Sequence, residues 1–364
     1  MSLLDTYGWS PFFASSFEAH AGAGRVPARV VATFKHLYRV VTAEGEGAAE
    51  VAGRLRHEAK GPEDFPAVGD WVVLAPRPGE ERATIHTVLP RRGRLSRKAP
   101  GTATGEQVLA ANIDTLFLVA GLDGDFNTRR LERTLVLAWD SGAEPVLLLS
   151  KADLSPDVPG RVAEVQALAP AASVVAVSAR NGQGLVALEQ WLRPGKTVTL
   201  LGSSGVGKST LLNRLLGDER QRTHEVRESD SRGRHTTTHR EMFLLPGGAL
   251  VVDTPGLREL QLWGDEEDLD LSFADIAGLA TACRFTNCRH DSEPGCAVQG
   301  AITSGALALE RMASYRKLEA ELAHLERQKD QRLQLQQKAQ WKAVHKAARK
   351  HHPRGSGGGR RVRS

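Results

Sequence analysis

Cysteine is scarce in this chain, with three in 364 residues, all between Cys283 and Cys296. So small and clustered a set excludes a disulfide-stapled fold and points to a metal-ligand group. No apolar run approaches the roughly 20 residues that a membrane-spanning helix needs. A helical membrane protein is therefore excluded, and no membrane partner is expected. The stretch Met1-Ser2-Leu3-Leu4-Asp5 lacks the basic and then apolar order of a secretion signal, so the expected location is cytoplasmic. Acidic residues are missing from Gln331 to the last residue, a stretch with ten Lys or Arg. The whole chain carries a formal net charge of only +5, so everything before Gln331 is net negative. The sequence thus predicts a basic, largely disordered tail over 331–364 whose natural partner is a polyanion such as RNA.

The apolar content of 41% and charged content of 25% are those of a globular protein, and the length allows two or three domains with cores. Residues 1–25 show little periodicity and read as a flexible leader. From 26 to 98, short extended runs (Arg29–Val41, Ala49–Arg56, Asp70–Leu74, Ala83–Val88) are separated by Gly- and Pro-bearing turns. Such spacing predicts a small barrel of the OB type, a fold that commonly binds oligonucleotides. The basic stretch Arg91–Lys98 closes it and is a candidate RNA surface.

Residues 105–265 alternate strand and helix: Ile113–Ala120, Arg129–Trp139, Val146–Leu149, Val162–Leu168, Ser173–Val177, Leu185–Leu192 and Thr197–Leu201. That alternation predicts a mostly parallel sheet covered on both faces. A loop-rich, Cys/His-bearing segment and an amphipathic helix (Leu307, Met312, Tyr315, Leu318, Leu322, Leu325) make up 266–330. The expected fold class is multidomain α/β: an N-terminal OB-type barrel, a central domain built on a mostly parallel sheet, and a C-terminal Cys/His-bearing module with helices.

The chemistry is most legible in Gly202-Ser203-Ser204-Gly205-Val206-Gly207-Lys208-Ser209-Thr210, which matches G-x-x-x-x-G-K-[ST] after a strand and before a helix. Its glycines let backbone N–H groups face phosphates. Lys208 supplies a cation to the β- and γ-phosphates, Ser209 a hydroxyl to Mg²⁺, and Thr210 opens a helix whose dipole favours the anion. The apolar strand ending at Asp253, with Thr254-Pro255-Gly256 after it, supplies a carboxylate for Mg²⁺ through water and a Gly256 amide for the γ-phosphate. Between them, one of Thr236, Thr237 and Thr238 is expected to meet Mg²⁺, with Thr237 as the candidate.

Base choice lies upstream, in Ser150-Lys151-Ala152-Asp153. Asp153 can accept from the N1–H and N2–H₂ edge of guanine, which adenine does not offer, and the Lys151 stem can lie over the base. The loop Ser178-Ala179-Arg180 can offer a backbone N–H to guanine O6. Ser150 stands where Asn is more usual, and its shorter hydroxyl is expected to weaken the tether to the phosphate loop. These base-reading segments precede the phosphate loop, whereas in a Ras-like GTPase they follow it. The domain therefore reads as circularly permuted.

That order, with a barrel in front and a Cys/His cluster behind, resembles the RsgA (YjeQ) family of circularly permuted GTPases over roughly residues 25–330. The resemblance implies hydrolysis of GTP to GDP and phosphate, stimulated by the small ribosomal subunit and its rRNA. It also implies a role in late small-subunit maturation near the decoding centre and in release of assembly factors. A monomer is expected. Leu257 follows Gly256 where Ras-like enzymes carry a water-orienting Gln, so intrinsic turnover should be slow. His235, in the switch segment, is the candidate to take over that role, although an RNA-facing or solvent-facing position suits it equally.

The spacing Cys283-x₄-Cys288-x-His290-x₅-Cys296 gives three thiolates and one imidazole, the donor set of a closed structural Zn²⁺ site. Arg284 and Arg289, interleaved with the ligands, are further candidates for phosphate contacts. Two rivals stand beside the GTPase reading: a P-loop ATPase or kinase with an RNA-binding appendage, which Asp153 and the Ser178 loop argue against, and a GTP-dependent RNA-binding placeholder in which hydrolysis only times dissociation.

Overall fold

The structure is a computed structural model and describes residues 2–22, 24–35, 37–77, 79–98, 106–123, 126–217, 240–253, 266–324 and 326–327. The chain to Leu322 forms one compact unit; a second, from Ala323, is described only at 323–324 and 326–327. Strands β1 (Val26–Thr33), β2 (Tyr38–Val41), β3 (Glu46–Val51), β4 (Trp71–Ala75) and β5 (Arg82–Val88) pair in the order β1-β2-β3-β5-β4, and β4 returns to β1. This is the closed barrel that the turn spacing predicts, with a helix, α3 (Gly53–Glu58), crossing between β3 and β4. Its interior is small and branched, with Ala28, Val30, Val40, Ala49, Val72, Leu74 and Ile85 all buried.

Two boundaries inside the barrel differ from the sequence reading. Arg29–Val41 is a hairpin of two strands, and Ala49–Arg56 leaves β3 to enter α3. A third difference is the hairpin of β6 (Arg94–Lys98) with β7 (Glu106–Ala111), which uses the basic stretch as a strand. All three turn on which strand pairs with which, a property that local pattern does not carry.

The leader also differs. Residues 1–25 are not a free arm: α1 (Leu3–Thr6) and α2 (Pro11–Glu18) bury Leu4, Tyr7 and Phe13. Ser2 and Asp5 form a reciprocal capping box on α1. Trp9 and Phe13 stack on Trp71 of β4 with ring centroids 4.6 and 5.7 Å apart. The signal available in the sequence was the aromatic spacing Trp9, Phe13, Phe17, one helical face of apolar rings.

Beyond the barrel, β8 (Thr115–Gly121), α4 (Thr128–Asp140), β9 (Glu144–Ser150), α5 (Val158–Leu168), β10 (Ser173–Ala176), β11 (Thr197–Leu201) and α6 (Lys208–Leu216) follow the predicted alternation. The segment Leu185–Leu192, read as a helix, is a 3-10 helix over Leu185–Gln190, and Leu188 and Trp191 sit in the core. Strands β12 (Arg240–Leu244) and β13 (Leu250–Asp253) complete a sheet of order β10-β9-β8-β11-β13-β12, and β12 continues by antiparallel pairing into β1 of the barrel. Short helices α7 (Glu266–Ser272), α8 (Ala274–Ala280) and α9 (Ala297–Thr303), then α10 over 309–322, form the C-terminal module.

Candidate functional site

Strands β10, β9, β8, β11 and β13 run parallel, so their carboxyl ends lie along one edge of the sheet. In open α/β sheets that edge is where ligands bind. It receives Ser150 at the end of β9, Ser178 after β10, Gly202 after β11 and Asp253 at the end of β13. Among the described residues, segments that lie far apart in the sequence thus meet at one edge.

The phosphate loop turns where its residue types allow. A Cβ on Gly202 would meet the Val119 carbonyl oxygen of β8 at 2.3 Å, so only glycine lets the loop leave β11 this close to its neighbour. Gly205 and Gly207 hold φ of +83° and +96°, the left-handed region that favours glycine. Val206 is buried in the sheet core and pins the loop, while Ser204 and Gly205 are exposed at its crest. Lys208 Nζ donates to the Gly202 and Ser203 carbonyl oxygens at 2.7 and 2.6 Å, which sets its charge over the loop. Ser209 and Thr210 are exposed in the first turn of α6.

Ser150 is buried, and its hydroxyl reaches the Val206 carbonyl at 2.5 Å and the Ala120 carbonyl at 3.2 Å. A hydroxyl has one proton, so the shorter contact to Val206 is the one donated. The tether between base-reading strand and phosphate loop is therefore made, against the expectation of weakness. The loop backbone comes close enough that the longer Asn side chain is not required. Lys151 sits at φ +58°, a left-handed position at which non-glycine residues are uncommon, and its ammonium pairs with Asp123 at 2.5 Å. Ala152 is buried, its amide bonded to the Val177 carbonyl. Asp153 is exposed, and a hydrogen bond from the buried Ser178 side chain holds its carboxyl below the usual carboxylate range. The two base-reading segments are thereby joined, with Asp153 ionised at neutral pH and Ala179 half-buried against the core.

His235, Thr236, Thr237 and Thr238 lie outside the described residues, as do Gly256 and Leu257. The Arg91–Lys98 stretch is described, and most of it is spent internally. Arg91 forks onto the fully buried Asp70 carboxylate at 2.8 and 2.7 Å, Arg94 pairs with Glu106 at 2.5 Å, and Arg97 meets Gln107 at 3.1 Å. Arg92 lies over the Phe12 and Phe13 rings. A run of cations read as an RNA surface is in large part the stitching of the barrel.

In the C-terminal module, Cys283 and Cys296 Sγ each lie 3.5 Å from His290 Nδ1 and 3.9 Å from one another. With Cys288, the four ligand atoms all fall within 4.8 Å of one another. A tetrahedron with Zn–S near 2.3 Å has S···S edges of about 3.8 Å. The residues fit such an ion, and the cluster can hold a metal. The loop is shaped around it: the Glu293 carboxylate accepts from the amides of Arg289, Asp291 and Ser292, which lowers its pKa to about 2. His290 takes φ +60°, and its carbonyl accepts from Gln299 and Arg316 at 2.6 Å each. Cys296 also caps α9 through the Gln299 amide.

The RsgA GTPase family model matches residues 88–263, and a model described as 50S ribosome-binding GTPase matches 197–330. A protein of Opitutus terrae described as small ribosomal subunit biogenesis GTPase RsgA is 50% identical over 356 residues, covering 95% of this chain and 97% of its own. The chain belongs to the RsgA GTPase family. A further family member, from Syntrophotalea carbinolica, is 44% identical over 345 residues, covering 93% of this chain and 94% of its own. The crystal structure of YjeQ from Thermotoga maritima aligns with a TM-score of 0.61 at 28% identity, over 82% of this chain and 99% of that one. YloQ, described as a circularly permuted GTPase, shares the fold with a TM-score of 0.58 at 24% identity, over 84% of this chain and 97% of that one. As a member of the RsgA GTPase family, the protein is a GTP-hydrolysing enzyme.

Ser150→Ala removes one buried hydrogen bond, worth about 1–1.5 kcal/mol, and should weaken GDP binding roughly tenfold. Titration with a fluorescent guanine nucleotide checks this; unchanged affinity would show that the tether contributes nothing to the site.

Proposed function

We propose that the protein binds the small ribosomal subunit through rRNA contacts and hydrolyses GTP there during late subunit maturation. The observation that carries this reading is the convergence of Ser150–Asp153, Ser178–Ala179, Gly202–Thr210 and Asp253 on one sheet edge, in a chain flanked by an OB-type barrel and a Cys/His module. The small subunit is preferred over the large one because the relatives that match nearly the whole chain carry that description, whereas the 50S description comes from a model matching 197–330 alone. Domain borders at 26–98, 105–265 and 266–330, with a basic tail over 331–364, are part of the proposal. So are a monomeric state and a cytoplasmic location.

Within that reading, Lys151 and Asp153 hold guanine, with the Ser178-Ala179 backbone at O6. Gly202–Gly207 amides and Lys208 hold the phosphates, and Gly256 meets the γ-phosphate. Ser209, Thr237 and Asp253, the last through water, hold Mg²⁺, which when bound neutralises phosphate charge. Leu257 cannot orient water, and we assign that task to His235, ordered on the subunit. Cys283, Cys288, His290 and Cys296 hold one structural Zn²⁺ that organises a segment with little core of its own.

Two outcomes test the proposal. In co-sedimentation, the protein loaded with a non-hydrolysable GTP analogue should pellet with small subunits, release on exchange to GDP, and ignore large subunits. Equal pelleting with both subunits would remove the small subunit as partner, and retention after exchange would count against nucleotide-timed release. In metal analysis, the purified protein should carry one zinc per chain and Cys283→Ser should carry none. A zinc-free wild type with an intact thermal transition would end the structural-zinc assignment.

A further inference from the structure

Each side chain assigned to guanine is itself held by a neighbour. The carboxyl of Asp153 takes a hydrogen bond from the buried Ser178 side chain. Lys151 Nζ donates to Asp123 Oδ2 at 2.5 Å, across 28 residues of chain, and Asp123 lies in none of the sequence motifs. The two side chains of this ion pair are 30% and 29% exposed, so the contact is partly shielded from water.

The fold sets both partners in place. Strands β8 and β9 stay in register as far as Gly121↔Ser150, and the Leu122 amide then donates to the Ser150 carbonyl at 2.8 Å. Asp123 follows at once, and its carbonyl accepts from the Phe126 amide at 3.2 Å. The Phe126 ring lies 5.1 Å from the Arg161 guanidinium, which anchors this end of the connection to α5. On the other strand, Lys151 leaves β9 at φ +58° and enters the 3-10 turn Ala152–Leu154, where the Ala152 amide bonds the Val177 carbonyl. Both ends of the pair therefore stand on backbone that is hydrogen-bonded to neighbouring strands.

Such a partner matters for a lysine in particular. Its charge sits on a flexible stem, which keeps one pose only where the ammonium is tied. Contact between that stem and a ring face is lost as soon as the stem swings away. We infer that Asp123 is a positioning residue for the nucleotide base: it holds the Lys151 ammonium so that the stem stays extended over guanine. This rests on the base-reading assignment of Ser150–Asp153 above. In this role Asp123 serves GDP and GTP alike, because both carry the same base, and phosphate binding is left to Gly202–Thr210. Base choice stays with Asp153, since a stem over the ring meets a face that every purine has.

The test measures affinity for GDP, for a non-hydrolysable GTP analogue and for inorganic tripolyphosphate, which has phosphates but no base. It compares wild type, Asp123→Ala, Asp123→Asn, Lys151→Ala and the Asp123→Ala/Lys151→Ala double variant. Asp123→Ala should lose about tenfold for both nucleotides and stay within about twofold for tripolyphosphate. Asp123→Asn keeps the shape and an acceptor oxygen, and should lose only about threefold with the wild-type thermal midpoint, which separates lost positioning from misfolding. The double variant should bind GDP no more weakly than Lys151→Ala, because Asp123 acts through the lysine. Additive losses, or an equal loss for tripolyphosphate, would make Asp123 a shaper of the loop and overturn the inference, as would no loss in Asp123→Ala. Wild-type GDP affinity in Lys151→Ala would instead overturn the assignment of Lys151 to the base.

Discussion

One strand joins the two halves of this protein. β12 pairs on one side with β13, register Glu241↔Asp253, and on the other with barrel strand β1, register Ala32↔Glu241 and Thr33↔Arg240. The strand that leads out of the Thr236–Thr238 segment is thus hydrogen-bonded both to the strand bearing Asp253 and to the barrel wall. Glu241 adds an ion pair to Arg39 of β2. β12 cannot shift without disturbing β1, because its backbone groups are paired in both ladders and a sheet interior leaves them few alternatives.

A second anchor keeps that junction from hinging freely. Arg29 of β1 is fully buried and donates to the carbonyls of Tyr7, Gly69 and Asn112 and to the Thr197 hydroxyl of β11, with Trp71 beside its guanidinium. Burial pulls its pKa down to about 10, so it stays charged at neutral pH. It thereby ties leader, barrel, linker and the strand feeding the phosphate loop through one side chain. Arg311 plays the matching part at the other end. It bonds Glu132 of α4, Asp275 of α8 and the Leu168 and Ser272 carbonyls, with the Phe273 ring 4.0 Å away. Removing one member of such a buried cluster leaves its partners unpaired, at a cost of about 3–5 kcal/mol. The GTPase sheet is therefore gripped from both flanks.

The parts legible in the sequence are those written in covalent spacing. Gly202–Thr210, Ser150–Asp153 and the Cys283–Cys296 pattern need only a strand or loop of the right length around them, and hydrophobic runs such as Leu147–Leu149 supply it. The barrel was legible as a class through its turns. What escaped depends on partners distant in sequence. Arg91 is a charged residue that reads as surface until Asp70 is placed beside it, and nothing in the extended run that begins at Arg29 points to Thr197. The leader read as mobile because its apolar face is short and finds its meaning only against Trp71. Ser150 read as a weak tether because the approach of Val206 is a three-dimensional fact. Asp123 lies in no motif, so only the fold puts it beside Lys151.

Under the function proposed above, this GTPase is slow alone and is completed by the small ribosomal subunit. Single-turnover GTP hydrolysis measured with no subunit, small subunits or large subunits tests it most directly, with His235→Ala run beside the wild type. The rate should rise greatly with small subunits alone, and His235→Ala should lose that rise while its GTP affinity is unchanged. An equal rate with and without small subunits would contradict the claim. Full stimulation of His235→Ala would leave the partner standing and remove His235 from catalysis.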